Sequence, residues 1–148
     1  YVFCSCCLFI HSLQSHILLD IIKIKDTFMT TVLVIDDSPS EMAKFRDILA
    51  KNNYTVLEAV NGEEGCKMAT DHLPDIILMD VVMPEMNGFQ ATRKITRGKT
   101  TSHIPVVMIS TKNQETDRVW GKRQGAREYL SKPIDEPGLI NIIRKVME

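Results

Sequence analysis

Four predicted strands in this 148-residue chain end in side chains that could do chemistry together. The apolar run Val32-Leu33-Val34-Ile35 leads into Asp36-Asp37, and Ile76-Ile77-Leu78-Met79 leads into Asp80. Val106-Val107-Met108-Ile109 leads into Ser110, and the mixed strand Glu128-Tyr129-Leu130-Ser131 into Lys132. Three carboxylates held close repel one another unless a cation neutralises them. Mg2+ takes oxygen ligands and keeps several waters, so one or two carboxylates suffice to hold it. A lysine opposite could pair with an anion, and a hydroxyl could donate to a phosphoryl oxygen. A carboxylate nucleophile, a hard cation and donors around the equatorial oxygens are the parts of in-line phosphoryl transfer. Each residue alone has an ordinary reading: a helix cap, a loop-start aspartate, a turn hydroxyl, a solvated lysine. All of them at the equivalent position of successive units are hard to explain that way.

The elements that must position these groups alternate regularly. Each apolar run suits a strand buried on both faces of a parallel sheet. After Asp36-Asp37, Ser38 as N-cap, Pro39 at the first helical position and Glu41 three residues after the cap predict a capping box. The helix that follows buries Met42, Phe45, Ile48 and Leu49 and ends near Asn52-Asn53. Tyr54–Ala59 is predicted as the second strand. Asn61-Gly62 opens a second helix with Cys66, Ala69 and Leu73 inward, closed by Pro74. Asp80 ends the central strand and is followed by the loop Met83-Pro84-Glu85-Met86-Asn87-Gly88. Gly88 opens a third helix with Phe89, Ala91 and Ile95 inward. Gln114–Gln124 is predicted as a fourth helix, loosened by Gly121, because a mid-helix glycine costs about 1 kcal/mol relative to alanine. Gly125 ends it. A last helix begins near Pro137 and buries Leu139, Ile142, Ile143 and Val146. Five strand–helix units joined by right-handed crossovers give an α/β, doubly wound, five-stranded parallel sheet with helices on both faces. In such sheets ligands bind at the carboxyl edge.

Composition narrows the function classes. Hydrophobic content of 44% and charged content of 25% are ordinary for a globular domain. A formal net charge of −1 argues against a nucleic-acid partner, which would want a basic excess. No apolar run approaches the ~20 residues needed to span a bilayer, which argues against a membrane protein. Residues 1–28 differ from the rest. They carry Cys4, Cys6 and Cys7 without a second pair at zinc-finger spacing, and they read as an unstructured tail rather than a metal site. Ile17–Ile24 could form a short strand or a helical turn. The expectation is that translation begins at Met29, that residues 1–28 are upstream read-through or a disordered extension without function, and that 29–148 is the domain. Cys66 reads as a small buried side chain, and nothing demands a disulfide, so a reducing cytoplasm fits.

From Thr30 to Glu148 the chain resembles a CheY-type response-regulator receiver domain. The matching motifs are Asp36-Asp37, Leu78-Met79-Asp80 with Met83-Pro84 and Asn87-Gly88 after it, Ser110, and Lys132-Pro133. The resemblance implies the flavodoxin-like strand order 2-1-3-4-5. It implies Asp80 as the phospho-acceptor, and Mg2+ as cofactor on Asp36 (largely through water), Asp37, Asp80 and the backbone carbonyl of Val82. It implies that Ser110 and Lys132 bind the phosphoryl group, that Tyr129 is a switch aromatic that turns inward on activation, and that the Lys132-Pro133 bond is cis. Val82 and Lys112 flank the acceptor where the family tunes hydrolysis. Implied partners are a CheA-like histidine kinase and a downstream motor or pilus regulatory protein, bound through the fourth helix, fifth strand and fifth helix. Trp120, Lys122 and Arg123 either join that face or are a core tryptophan beside two solvated cations; Arg127 is expected to face solvent. The segments Asp36–Pro39, Asn87–Arg93 and Asn113–Arg127 are similar to the single-domain receivers of type IV pilus (twitching motility) chemosensory systems. Such a protein is not an enzyme beyond its own phosphoryl transfer and dephosphorylation, has no separate output domain, and is monomeric and cytoplasmic.

Other classes fit less well. A flavodoxin-like cofactor binder needs a phosphate-cradling loop after the first strand, where Asp36-Asp37 would repel a phosphate. A metal-dependent phosphatase with an aspartate nucleophile would place a second acid where Val82 stands. An unphosphorylated adaptor would not need Asp37, Asp80, Ser110 and Lys132 together. Within receivers, an output regulator and a phosphate sink for a shared kinase remain alternatives.

Overall fold

The computed structural model describes residues 29–148. Residues 1–28, with the element expected within 17–24 and the first three cysteines, lie outside the described part. Five strands and five helices alternate: β1 Thr31–Ile35, α1 Pro39–Lys51, β2 Thr55–Ala59, α2 Gly62–His72, β3 Ile76–Asp80, α3 Gly88–Thr96, β4 Val106–Ser110, α4 Glu115–Arg123, β5 Glu128–Ser131 and α5 Glu136–Met147. All neighbouring strands pair in parallel, in the order β2-β1-β3-β4-β5.

The apolar runs are continuous because both faces of the sheet are covered. In β1, Val32 and Val34 pack with Phe45 and Leu49 of α1 and Leu139 and Ile143 of α5. Their alternates Leu33 and Ile35 pack on the other face with Cys66 and Ala69 of α2 and Ala91 and Ile95 of α3. A third, smaller cluster joins Val81, Met108, Ala126 and Tyr129 beneath α4. Among the described residues no helix is long and apolar enough to cross a membrane.

Local expectations at Ser38, Leu73 and Ile142 need correction. The box at Ser38 does not form. Ser38 is the N-cap of α1, but its side chain makes no cap bond. Its Oγ lies 3.0 Å from Ser40 Oγ, and its N–H donates instead to Asp36 Oδ1 at 2.8 Å, so the site carboxylate occupies the serine. The capping box is at α3, between Asn87 and Gln90. Leu73, expected on the inner face of α2, is the C-cap in the left-handed region (φ 46°) and points its half-exposed side chain away from the core. Gly121 proves to be the one buried residue of α4. A Cβ there would sit 3.0 Å from Met108 Sδ and 3.1 Å from the Tyr129 ring, so the glycine lets α4 lie flat on the sheet. Ile140, not singled out by the pattern, is also buried, whereas Ile142 is only half-buried.

Candidate functional site

The strand ends place the reactive groups together at the carboxyl edge of the sheet. Asp36 directly follows β1 and is tied to the end of β2 through its N–H, which donates to Ala59 O at 3.1 Å. Asp80 is the last residue of β3, in register with Ile109 of β4. Lys132 follows β5, where its N–H donates to Ser110 O at 2.8 Å. The Lys132 side chain then reaches back across the edge. Its Nζ lies 2.9 Å from Asp36 Oδ2, 3.1 Å from Asp80 Oδ1 and 3.8 Å from Glu41 Oε2. Asp80 Oδ2 accepts the N–H of Val82 at 3.0 Å, which holds the Val82 peptide against the Asp80 carboxylate. Asp36, Asp37 and Asp80 each offer a carboxylate oxygen within 4.8 Å of the others. Asp36 and Asp80 are 2% and 7% exposed, whereas Asp37 is open to solvent.

The β3–α3 loop closes against this cluster. Gly88 N–H donates to Val81 O at 3.0 Å, and its missing side chain leaves room for the Asp80 carbonyl; a Cβ would come within 2.1 Å of that oxygen. The expected glycine at the loop end is therefore a requirement of close backbone approach next to Asp80.

Electrostatics favour a cation here. Burial pushes the Asp80 carboxyl above the usual carboxylate range, and the hydrogen bond from Lys132 and its charge only partly oppose this, with Asp36 adding repulsion. Burial works against the Lys132 ammonium, but its bonds to Asp36 and Asp80 outweigh that and leave its pKa above the ordinary lysine value. The donor set around the cluster is all oxygen, partly buried and short of positive charge. That fits a hard divalent cation such as Mg2+ and is a poor match for a soft metal.

The sign of the Asp80 shift sets a stability prediction. A carboxyl whose folded pKa is raised loses stability for the fold as it ionises: the cost is absent below the unfolded pKa and fully present above the folded one. Asp80→Asn is thus expected to raise Tm by a few degrees at neutral pH in chelator, with the gain vanishing as the pH falls through the carboxyl range. Thermal melts of both proteins across pH check this; an unchanged or lower Tm at neutral pH contradicts it.

Ser110 ends β4 fully buried, and its Oγ accepts the Lys112 N–H at 3.1 Å. Tyr129 is also buried, at 3% exposure, and its hydroxyl donates to Lys112 O at 3.1 Å. The ring of the expected switch aromatic thus lies inward in this structure, its hydroxyl held by a backbone acceptor of the β4–α4 loop. Val82 and Lys112 are exposed beside the site. Trp120 is half exposed (50%), so the core reading of this residue is wrong; Lys122, Arg123 and Arg127 face solvent with it. The Lys132-Pro133 peptide is cis.

Glu41 is the site neighbour that the sequence pattern conceals. Its spacing from Ser38 reads as that of a capping residue, whereas its position one turn into α1, facing the strand ends, is the signal that points to the site.

The fold agrees with that of known proteins. The family model for the response regulator receiver domain matches residues 32–144, and the chain belongs to that family. It is 53% identical over 119 residues to Protein PilH of Pseudomonas aeruginosa, which covers 80% of this chain and 98% of that protein. It is 40% identical over 115 residues to the response regulator PleD of Caulobacter vibrioides, covering 78% of this chain but 25% of the longer relative. Among solved structures, the chemotaxis protein CheY4 of Vibrio cholerae superposes with a TM-score of 0.76 at 30% identity, covering 80% of this chain and 98% of that one. A CheX-CheY-BeF3-Mg2+ complex from Borrelia burgdorferi superposes with a TM-score of 0.78 at 25% identity, covering 84% of this chain and 94% of the matched one.

Proposed function

We propose that this protein is a single-domain response regulator that accepts a phosphoryl group on Asp80 from a CheA-like histidine kinase. The observation that carries the reading is Lys132 Nζ bridging Asp36 and Asp80, 2.9 and 3.1 Å away, beside the open carboxylate of Asp37. Asp36, Asp37, Asp80 and the Val82 carbonyl would hold Mg2+, and the likeness to a CheY complex named with Mg2+ supports that assignment. When bound, the ion would offset the negative charge of the carboxylates and the incoming phosphoryl oxygens.

The remaining chemistry belongs to the chain. An Asp80 oxygen attacks the phosphorus of a partner phosphohistidine in line. The new O–P bond forms as the N–P bond breaks, and the imidazole nitrogen keeps the electron pair. The bond from Val82 N–H to Oδ2 sets the orientation of the carboxylate. Lys132 exchanges its contact with Asp80 for one with the phosphoryl group, and Asp36 keeps the ammonium in reach. The Ser110 hydroxyl leaves the Lys112 N–H and donates to a phosphoryl oxygen. Because Lys112 also receives the Tyr129 hydroxyl, that exchange pulls on the β4–α4 loop and alters the surface of α4, β5 and α5. Phosphate shifts this equilibrium only through its differential affinity for the two states.

The likeness to PilH across nearly all of that protein supports a place in type IV pilus or twitching control, with a motor or pilus regulatory protein bound at the α4–β5–α5 face. We place the functional unit at residues 29–148, as a cytoplasmic monomer.

Phosphotransfer from a labelled CheA-type kinase tests the assignment. Label should leave the kinase and appear on this chain within seconds in Mg2+, and Asp80→Asn should leave it on the kinase. Label retained on the kinase with the wild-type chain, while a known cognate receiver drains it, would overturn the assignment to that kinase class.

A further inference from the structure

Three carboxylates face one ammonium at the strand ends, and they are not alike. Asp36 and Asp80 come within 2.9 and 3.1 Å of Lys132 Nζ, from the ends of β1 and β3, and both are buried. Glu41 Oε2 stands off at 3.8 Å, on the first turn of α1, and its side chain is 34% exposed. The two aspartates lie at hydrogen-bond distance, whereas Glu41 acts across a longer gap as a charge. Glu41 also stands outside the group that Asp36, Asp37 and Asp80 form at the candidate cation site. Among the described residues Lys132 is the one cation paired with it. An acid in the first turn of a helix complements the macrodipole, and that ordinary role needs no site. It does not require the carboxylate to lie beside a lysine that follows β5.

We infer that Glu41 is a specificity-determining residue that disfavours small dianionic phosphodonors at this site. The inference rests on Asp80 being the phospho-acceptor. A phosphoryl oxygen that replaces Asp80 on the ammonium arrives next to Glu41, at a partly buried place where charges are poorly screened. The carboxylate then repels the donor in proportion to the donor's charge. Acetyl phosphate is a dianion at neutral pH, whereas phosphoramidate is a zwitterion with a single net negative charge. With acetyl phosphate, the bond from an Asp80 oxygen to phosphorus forms as the acyl O–P bond breaks, and acetate keeps the electron pair. With phosphoramidate the N–P bond breaks, and the already protonated nitrogen leaves as ammonia. The two donors therefore deliver the same group to the same oxygen and differ in the charge that must pass Glu41.

Glu41→Gln, which keeps the side chain's size and removes its charge, tests this in the full chain with Mg2+. Phosphorylation is followed by intact mass over time, with each donor at several concentrations. The second-order rate with acetyl phosphate should rise about fourfold or more. With phosphoramidate it should rise only as the square root of that gain, about twofold, because the repulsion scales with donor charge. The preference between donors thus moves about twofold towards acetyl phosphate, and high salt should shrink the shift. Asp71→Asn removes an exposed acid from the last turn of α2, at the other edge of the sheet, and should leave the preference unchanged. A merely structural role for Glu41 would change both rates alike. An equal change with both donors, or a shift no larger than that of Asp71→Asn, would overturn the inference. If Glu41→Gln loses its circular dichroism, Glu41→Ala is judged by the same criteria. Uptake by the wild type from neither donor would overturn the Asp80 reading and this inference together. Uptake at Asp80 with an unchanged donor preference in the variant would overturn this inference alone.

Discussion

Lys132→Ala is expected to lose phosphotransfer by about 100-fold or more and to destabilise the fold by about 3 kcal/mol in chelator at neutral pH. Both effects have one cause. Lys132 is the cation that faces Asp36 and Asp80, and both carboxylates are nearly out of solvent. Without it two buried negative charges face each other beside Asp37, and the incoming phosphoryl group meets no fixed positive charge. Removing one member of a buried ion pair costs far more than the pair contributes, because the remaining charge stays desolvated. The sign with pH follows. In the variant the Asp80 carboxyl, already raised by burial, loses the opposing lysine and rises further above its unfolded value, so its ionisation costs stability. That cost should be fully present above the raised Asp80 pKa and fade as the pH drops through the carboxylate range. Added Mg2+ should recover much of the stability, since it binds only the folded cluster, without restoring transfer to its wild-type rate. Urea titrations with chelator and with Mg2+, at neutral and mildly acidic pH, together with a phosphotransfer time course, measure each part. Wild-type stability in chelator would mean that the cluster is well solvated and that the bridging lysine matters little to the fold.

Gly88→Ala should be nearly as damaging, although no functional group is removed. A Cβ at that position lies 2.1 Å from the Asp80 carbonyl oxygen and 2.9 Å from both its carbon and Val81 Cα. All three are backbone atoms next to a central strand, so no rotamer change relieves the overlap. The loop must pull away from β3, losing the bond from Gly88 N–H to Val81 O and shifting the peptide that presents Val82 N–H to Asp80. A destabilisation of about 3 kcal/mol or more is expected, in the upper part of the range for overpacked sites. Phosphorylation should slow even at temperatures where the variant is folded, because the acceptor carboxylate loses its orienting donor. Gly138→Ala serves as a control, since its one close neighbour is the tip of the exposed Asp135 side chain and the next atoms lie 3.8 Å away or more. Comparable Tm losses for the two variants would show that the close approach at Asp80 is not special.

The strand ends were legible in the sequence because a parallel sheet buried on both faces must be written as unbroken apolar runs. The first polar residue after each run then marks the edge at which ligands bind. Asp36, Asp80 and Ser110 fell at such positions, Lys132 followed Ser131 at the end of the mixed fifth strand, and the structure brings Lys132 onto Asp36 and Asp80. What the pattern hid depended on side chains choosing among several partners. Ser38 and Glu41 have the spacing of a capping box, but Asp36 takes the Ser38 N–H and Lys132 draws Glu41 towards the site, two competitors that local spacing does not contain. Leu73 has helical spacing and an apolar side chain, yet the chain turns left-handed there to leave α2 ahead of Pro74. The buried position of Tyr129 was not legible either. It depends on Lys112, Arg118 and Gly121 meeting around one ring, and nothing in the identity of those residues says which of two rotamers they favour. Gly121, read in the sequence only as a weak point of α4, is also where the helix touches the sheet.

Asp80 as a phospho-acceptor is the centre of the proposed function. The full chain, incubated with acetyl phosphate with and without Mg2+ and weighed intact beside Asp80→Ala, tests this without any partner. A gain of one phosphoryl group that requires Mg2+ and is absent in the variant is the expected result. No gain under either condition, or an equal gain in Asp80→Ala, would contradict it and leave a receiver fold that works by protein binding alone.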